Sequence, residues 1–411
     1  MNNHQPSNID YQPSTINHQS KIYIAGHDGM VGSAILRNLQ SKGYTNFVFT
    51  PYPEYDLTNQ QTVNDFFKKE KPEYVVLAAA KVGGIVANNT YRGQFIYENL
   101  QIQNNIIHNS YVYGVKKLLF LGSSCIYPKN CPQPIKEEYL LTSELEYTNE
   151  PYAIAKIAGL KMCEAYNIQY GTNFIAVMPT NLYGPNDNYD LEKSHVLPAL
   201  IRKMHLGKCL ENNDWEGIQK DLNKRPIEGV EGNSKEADII AILEKYGISM
   251  NDDRRETIDE KPSTVNHPSS TISNQSSSFE HPSSNINPPS SNVSVTLWGT
   301  GSPRREFLHA DDLADACVYI MEKRNFSDTY KKDSEQIINT HINIGSGKDL
   351  TIKKLAEIVK EIISFNGEII WDSTKPDGTI QKLLDVDKIN NLGWKEKIIL
   401  TEGIKEVYRN Y

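Results

Sequence analysis

The stretch Lys21-Ile22-Tyr23-Ile24-Ala25-Gly26-His27-Asp28-Gly29-Met30-Val31-Gly32 decides the fold. A short apolar run leads into glycines spaced GxxGxxG, and an amphipathic pattern continues to about Ser41. Glycines at this spacing let a strand turn tightly into a helix. They also let the backbone of Gly26, Gly29, Met30, Val31 and Gly32 approach a pyrophosphate at the positive helix N-terminus. A lone glycine pattern is often no more than a strand–helix turn. The strand before it and the helix after it turn this one into a dinucleotide-binding signal.

Outward from that loop the alternation continues. Residues 46–50, 74–78, 117–121 and 172–177 read as strands. Residues 62–69, 91–113 and 152–170 read as helices between them. Strands alternating with helices predict a parallel sheet joined by right-handed crossovers, with the ligand crevice at the carboxyl ends of the strands. The expected fold is therefore α/β: a Rossmann-type doubly wound parallel sheet over residues 21–185, to which later segments may return, with a smaller mixed α/β substrate domain built mainly from 186–209 and 293–411. A helix at 194–206, a strand at 293–298, helices at 312–323 and 351–364 and a strand at 342–344 fit that second domain. Residues 210–292 read as a partly disordered insertion, with a helical part over about 214–247 (helix 234–246) and a low-complexity part at 261–294. There Ser, Pro and Asn fill 22 of 34 positions, too polar to offset chain entropy by burial. Residues 1–20 share that composition and read as a disordered tail.

Composition narrows the function class. The chain has 411 residues, with 43 basic and 51 acidic side chains and a net charge of −8, which argues against nucleic acid as partner. No run of about 18 apolar residues is present, so a membrane span is not expected. Five cysteines (Cys125, Cys131, Cys163, Cys209, Cys317) show neither CxxC nor metal-type spacing, which fits a reducing cytoplasm, free thiols and no metal site.

The second chemical signal is Tyr152 and Lys156, four apart on a helix and so on one face, about 5–6 Å apart at Cβ. A lysine cation beside a phenol favours phenolate and pulls the tyrosine pKa toward neutrality, which suits a general acid/base at a carbonyl. YxxxK alone is most often a solvated helix face. Here Ser123, at the end of the strand 117–121, stands where it can bond the same carbonyl oxygen. Ser123, Tyr152 and Lys156 together form a hydride-transfer constellation.

With these residues the chain resembles the extended short-chain dehydrogenase/reductase family of nucleotide-sugar enzymes, and within it the branch that epimerises C3 and C5 and reduces C4 of GDP-4-keto-6-deoxy-mannose. The matching stretches are LAAAKVGGIVANNTYR (77–92), FLGSSCIYPKN (120–130), TNEPYAIAKIAGLKM (148–162), MPTNLYGPN (178–186), WGTGSPRREFLHA (298–310), KPDGT (375–379) and QKLLDVD (381–387). The resemblance implies that Cys125 and His195 exchange protons at C3 and C5, where the 4-keto group acidifies the C–H bonds. For Cys125 to act as base its thiol pKa must be depressed. It further implies that Ser123 and Tyr152 stabilise the enolate, that Lys156 holds the nicotinamide ribose, and that the product is GDP-L-fucose. Thr50, Leu121, Pro179, Asn181, Leu182 and His195 would complete the cofactor site beside the glycine loop, Ser123 and Lys156, while Lys203, Trp298, Arg305 and Asp377 would hold the GDP end. A homodimer through helices 91–113 and 152–170 is also implied.

One departure bears on the cofactor. Members that prefer NADPH often carry basic residues where this chain has Asp28 and Thr50, yet no acidic residue ends the second strand as in NAD-type sites. NADP(H) is the expectation on family grounds, with NAD(H) left open. A 4-epimerase, a 4,6-dehydratase or a catalytically silent dinucleotide-binding scaffold are the competing readings. The first two do not require the Cys125/His195 pair, and silent relatives tend to lose the Tyr or Lys that is intact here.

Overall fold

The computed structural model describes residues 16–250, 291–332 and 335–411, so the low-complexity segment falls mostly outside the described residues. Two compact units are present. The larger comprises residues 1–202, 298–362 and 373–411, the smaller 203–297 and 363–372.

In the larger unit, β1 (Ile22–Ala25), α1 (Met30–Ser41), β2 (Phe47–Val48), α2 (Gln60–Glu70), β3 (Tyr74–Leu77), α3 (Ile85–Thr90), α4 (Arg92–Val112), β4 (Lys117–Leu121), α5 (Glu150–Tyr170) and β5 (Phe174–Pro179) follow the predicted alternation. After β5 come β6 (Asn181–Tyr183) and α6 (Val196–Glu211), which runs on into the smaller unit. The smaller unit adds α7 (Trp215–Lys224), α8 (Glu236–Lys245), β7 (Ile248–Met250) and β8 (Val293–Trp298). The larger unit resumes with β9 (Arg304–His309), α9 (Ala310–Lys323), β10 (Ile342–Ile344), β11 (Asp349–Thr351) and α10 (Ile352–Ile363). β12 (Glu368–Asp372) belongs to the smaller unit, and β13 (Gln381–Lys382), α11 (Asp387–Asn391) and α12 (Leu400–Arg409) close the chain.

The main sheet has six parallel strands in the order β10-β5-β4-β3-β1-β2. Except for the half-buried edge strand β2, its strands are buried on both faces, which is why they read as near-continuous apolar runs rather than alternating ones. Ile22, Ile24, Val76 and Leu119 face α1 and α9, whereas Tyr23, Val75, Leu118 and Phe120 face α2, α4 and α5. The strand order reverses between β1 and β3, so the crevice of a doubly wound sheet opens beside the glycine loop.

The boundaries differ from the expected ones in three places. Ile16 and Ser20 are buried, so the packed chain starts before Lys21. α9 and β10, expected in the second domain, belong to the main sheet: Leu313, Cys317 and Ile320 cover its α1 face, and Ile342 pairs with Val177. The helical part of the expected insertion is the body of the smaller unit, where Ile218, Leu222, Leu243 and Val295 are fully buried and β12, β8 and β7 form one sheet. A second sheet of the larger unit sets β9 between β11 (antiparallel) and β13 (parallel), with β6 also pairing β9.

Candidate active site

The glycine loop is built as its spacing requires. Gly26 has φ +80°, and a Cβ there would lie 2.8 Å from the Ala79 amide after β3. A Cβ on Gly32 would come 1.9 Å from the Gly26 carbonyl oxygen. Gly29 N-caps α1 in extended conformation and no side chain caps that helix, so its first amides remain available. Beside the loop the His27 ring stacks on Phe49 at 4.4 Å, with its Nδ1 buried and without a hydrogen-bond partner. Sequence reasoning missed His27, since nothing in its spacing marks it. A glycine cradle with free amides and an orphaned buried nitrogen fit a dinucleotide. Asp28 is exposed, whereas Thr50 is buried with its hydroxyl bonded to the Tyr23 hydroxyl at 2.9 Å, facing the core.

At the carboxyl end of β4 the chain turns through Ser123 into a short 3-10 turn, Ser124–Ile126. Ser123 Oγ accepts from the Cys125 amide at 3.3 Å and bonds the Tyr152 phenol. Just before the turn, a Cβ on Gly122 would reach the Met178 thioether at 2.3 Å, so the Met178 side chain packs directly over this glycine. α5 brings in Tyr152 and Lys156. Lys156 is buried, donates Nζ–H to the Leu121 carbonyl at 2.8 Å, and lies 5.8 Å from the centre of the Tyr152 ring. Ser123, Tyr152 and Lys156 therefore meet as their placement predicts, and Cys125 joins them through the 3-10 turn.

Their protonation differs from that expected. Burial, with the nearby Cys125 adding to it and the Ser123 bond opposing it, raises the Tyr152 phenol well above its ordinary value. Burial also lowers Lys156 to about 8. The predicted downward pull of Lys156 on Tyr152 is overridden, because both groups are desolvated and the ammonium is spent on a carbonyl. The Cys125 thiol is likewise raised by burial rather than depressed, against the opposing pull of Lys382, the Ser123 bond and Lys156.

His195 lies just ahead of α6 on a segment tied to the turn after β3, where the Gly84 amide donates to the Lys193 carbonyl at 3.2 Å. A Cβ on Gly84 would press to 3.1 Å on that same carbonyl. The ring edge is open to solvent, while desolvation holds the imidazole below its usual pKa and so neutral at pH 7. Asn181 Nδ2 donates to the Glu306 carbonyl at 2.8 Å, and the amide that follows Pro179, on Thr180, donates to Ile344. Leu182 packs against the core.

Of the residues expected at the GDP end, three gather in the larger unit. Trp298 is 66% exposed, with Lys375 Nζ 5.6 Å from the ring centre. Asp377 accepts from the Thr300 amide at 2.9 Å and hydroxyl at 2.7 Å, which holds its carboxyl below the ordinary value. Arg305 lies against Gly378, with Nη2 3.1 Å from where a Cβ would stand. Lys203 opens the smaller unit, where Nζ donates to the Thr296 carbonyl at 3.1 Å and burial lowers it to about 8.

Among known proteins, the NAD dependent epimerase/dehydratase family matches residues 22–225 and 266–345. The chain is 46% identical to GDP-L-fucose synthase 1 of Arabidopsis thaliana, over 95% of this chain and 93% of that one. It is 44% identical to a GDP-6-OMe-4-keto-L-xylo-heptose reductase from C. jejuni, covering 97% and 99% of the two chains with a TM-score of 0.81. To MlghC, a GDP-mannoheptose C4 reductase from Campylobacter jejuni with NADP bound, it is 43% identical, covering 96% and 99% with a TM-score of 0.76. The glycine cradle, the Ser–Tyr–Lys cluster at the end of β4 and these likenesses agree: the chain belongs to the NAD dependent epimerase/dehydratase family, the extended short-chain enzymes that its motifs resemble.

Proposed function

We propose that this protein converts GDP-4-keto-6-deoxy-D-mannose to GDP-L-fucose, epimerising C3 and C5 and then reducing the C4 ketone with NADPH. The observation that carries the reading is Cys125 set beside the Ser123–Tyr152–Lys156 cluster, supported by near-full-length identity to a GDP-L-fucose synthase. A phenol held protonated by burial is the proton donor that reduction of a ketone needs. Ser123 and Tyr152 aim hydroxyls at the oxygen that becomes enolate in epimerisation and alkoxide in reduction, so one pair of donors serves both stages. Cys125 and His195 remove and return the C3 and C5 protons. Bound in the cradle of Gly26, Gly29, Met30, Val31 and Gly32, the dinucleotide supplies the hydride to C4. Lys156 holds its ribose and neutralises the phenolate left on Tyr152. In the larger unit Arg305, Trp298 and Asp377 hold the GDP group, with a cation for the diphosphate and an exposed indole for stacking.

NADP(H) is the cofactor we assign. The NADP-bound C. jejuni relative supports it, although Asp28 and the inward Thr50 hydroxyl replace basic residues. We further place the protein in the cytoplasm, as a homodimer. Its five cysteines are free, and among the described residues no helix is long and apolar enough to cross a membrane. Tyr97, Tyr111 and Val112 on α4 and Ile154, Ile168 and Tyr170 on α5 leave an exposed apolar face that a second copy would cover.

A second reading is favoured by the C. jejuni neighbours: C4 reduction of a GDP-linked heptose. One incubation separates the two. With GDP-4-keto-6-deoxy-mannose in D₂O, and NADPH and NADH in parallel, the first reading expects deuterium at C3 and C5 and a reduced C4 in the fuco configuration, faster with NADPH. Absence of exchange and of cofactor oxidation would move the assignment to the heptose.

A further inference from the structure

Lys382 is the charged side chain that the motif reading left without a role. It sits on β13, whose register sets Gln381 against Arg304 and Lys382 against Arg305 of β9. Side chains alternate along a strand, and the Gln381 side chain is accounted for, since Nε2 donates to Asp349 at 2.7 Å alongside Arg304. Lys382 and Arg305 therefore share the opposite face. The other edge of β13 is stitched to the chain that follows the catalytic turn: Leu383 N–H donates to Gln133 Oε1 at 2.8 Å, and Ile135 N–H to the Leu383 carbonyl at 2.7 Å. This clamp fixes the backbone that carries Lys382, whose half-buried side chain lies within electrostatic reach of Cys125, with Arg305, Glu146 and Cys131 its other charged or titratable neighbours. Around Cys125 itself stand Ser123 at the end of β4, Tyr152 and Lys156 on α5, and Lys382 on β13. Of the two ammonium groups, Lys156 is tied to the Leu121 carbonyl, whereas among the described residues no carbonyl or carboxylate is bonded to the Lys382 ammonium.

We propose that Lys382 is the positioning cation of the proton-exchange step, stabilising the Cys125 thiolate so that this residue works as a base. This rests on the proposed epimerase reading. The thiol first loses its proton to water. The thiolate then takes the proton from the substrate C–H bond and becomes thiol again, while the electron pair of that bond moves onto O4 as enolate. The exposed His195, its imidazole neutral, relays a proton from water to the carbon on the other face. Burial raises the Cys125 thiol, and Lys382 is the first of the groups that oppose it, so the thiolate available for exchange depends on that charge.

The test reads the thiol directly. Iodoacetamide labelling of the full chain across a pH series, followed by tryptic cleavage, separates the two neighbouring thiols, because Lys129 lies between Cys125 and Cys131. In Lys382→Met the midpoint of Cys125 labelling should rise by about one pH unit or more, and Lys382→Arg should restore it. The pH profile of deuterium exchange at C3 and C5 should move in parallel. An unmoved Cys125 midpoint in Lys382→Met would overturn the proposal, as would a midpoint raised equally in Lys382→Arg, which would mean lost packing rather than lost charge. A rise in KM alone, with the midpoint fixed, would make Lys382 a diphosphate ligand and overturn it too. Wild-type protein whose thiol depends on Lys382 but that exchanges no deuterium would sink the proposed reaction, not the pairing.

Discussion

The two halves of the proposed catalytic site are built differently. On the hydride-transfer side, Tyr152 and Lys156 come from one turn of a long helix packed on the sheet, and Lys156 is locked to the Leu121 carbonyl at 2.8 Å. On the proton-exchange side, Cys125 comes from a buried 3-10 turn, His195 from an open segment ahead of α6, and Lys382 from a two-residue strand. The first half is held by local structure, the second by long-range pairing. A single substitution on either side should therefore disable one step without dissolving the other.

That separation is the largest effect to look for. Tyr152→Phe removes the proton donor at O4 and should slow cofactor oxidation by about 10³-fold, within the range of general acid catalysis. Ser123 still bonds the enolate, so C3/C5 exchange should fall less. Cys125→Ser should do the reverse, cutting exchange by about 10²-fold while hydride transfer falls far less. Product NMR in D₂O, with cofactor oxidation followed in the same tube, reads both. Equal losses in the two variants would mean the halves are not separable, and would remove Cys125 from proton exchange.

Legibility in the sequence follows the same division. YxxxK lies within one helix, so spacing alone places Tyr152 and Lys156 on one face, and the glycine loop is a local turn from β1 into α1; the structure keeps both. Cys125 carries no periodic signal and was found only through the stretch around Ser123. Lys382 lies in the matching stretch 381–387, but nothing there marked its role, because its position depends on β13 pairing with β9 and on Gln133 reaching Leu383, both far away in the chain. Which later segments return to the main sheet was not legible for a related reason: α9 and β10 do so because Ile342 pairs with Val177, which no local pattern predicts. The expected lowering of the Tyr152 pKa failed on energetics instead. Spacing shows that a lysine is near, but not that burial outweighs its charge.

A smaller effect probes the cradle that both steps share. At Gly32 a methyl would sit 1.9 Å from the Gly26 carbonyl, so Gly32→Ala must push the loop apart. Overpacking of this kind costs about 1–3 kcal/mol. Dinucleotide affinity, followed by fluorescence titration, should weaken by about 10- to 100-fold if that cost falls on the bound form. C3/C5 exchange draws on no hydride, so it should outlast reduction in this variant. A parallel loss of exchange would mean that the loop also supports the Cys125 side.

The smallest effect is a pH dependence of opposite sign in two measurements. Burial lowers Lys156 to about 8 in the fold, below the ordinary lysine value of 10.5. Between these limits the unfolded chain binds the proton and the folded chain does not, so this residue's contribution to stability rises with pH, by about 1.4 kcal/mol per pH unit, and is lost as pH falls through about 8. Lys117, Lys203 and Lys388 are lowered to about the same value, so the test is a difference: thermal melting of wild type should gain more with rising pH than that of Lys156→Met. Dinucleotide binding runs the other way, because the charge that holds the ribose and steadies the Tyr152 phenolate disappears above about 8. Affinity should fall severalfold there in wild type and stay level in Lys156→Met, weaker throughout. Affinity that weakened with pH to the same extent in both proteins would place the titrating group elsewhere, and Lys156 would then be a structural tie to Leu121 rather than the charge on the hydride-transfer side.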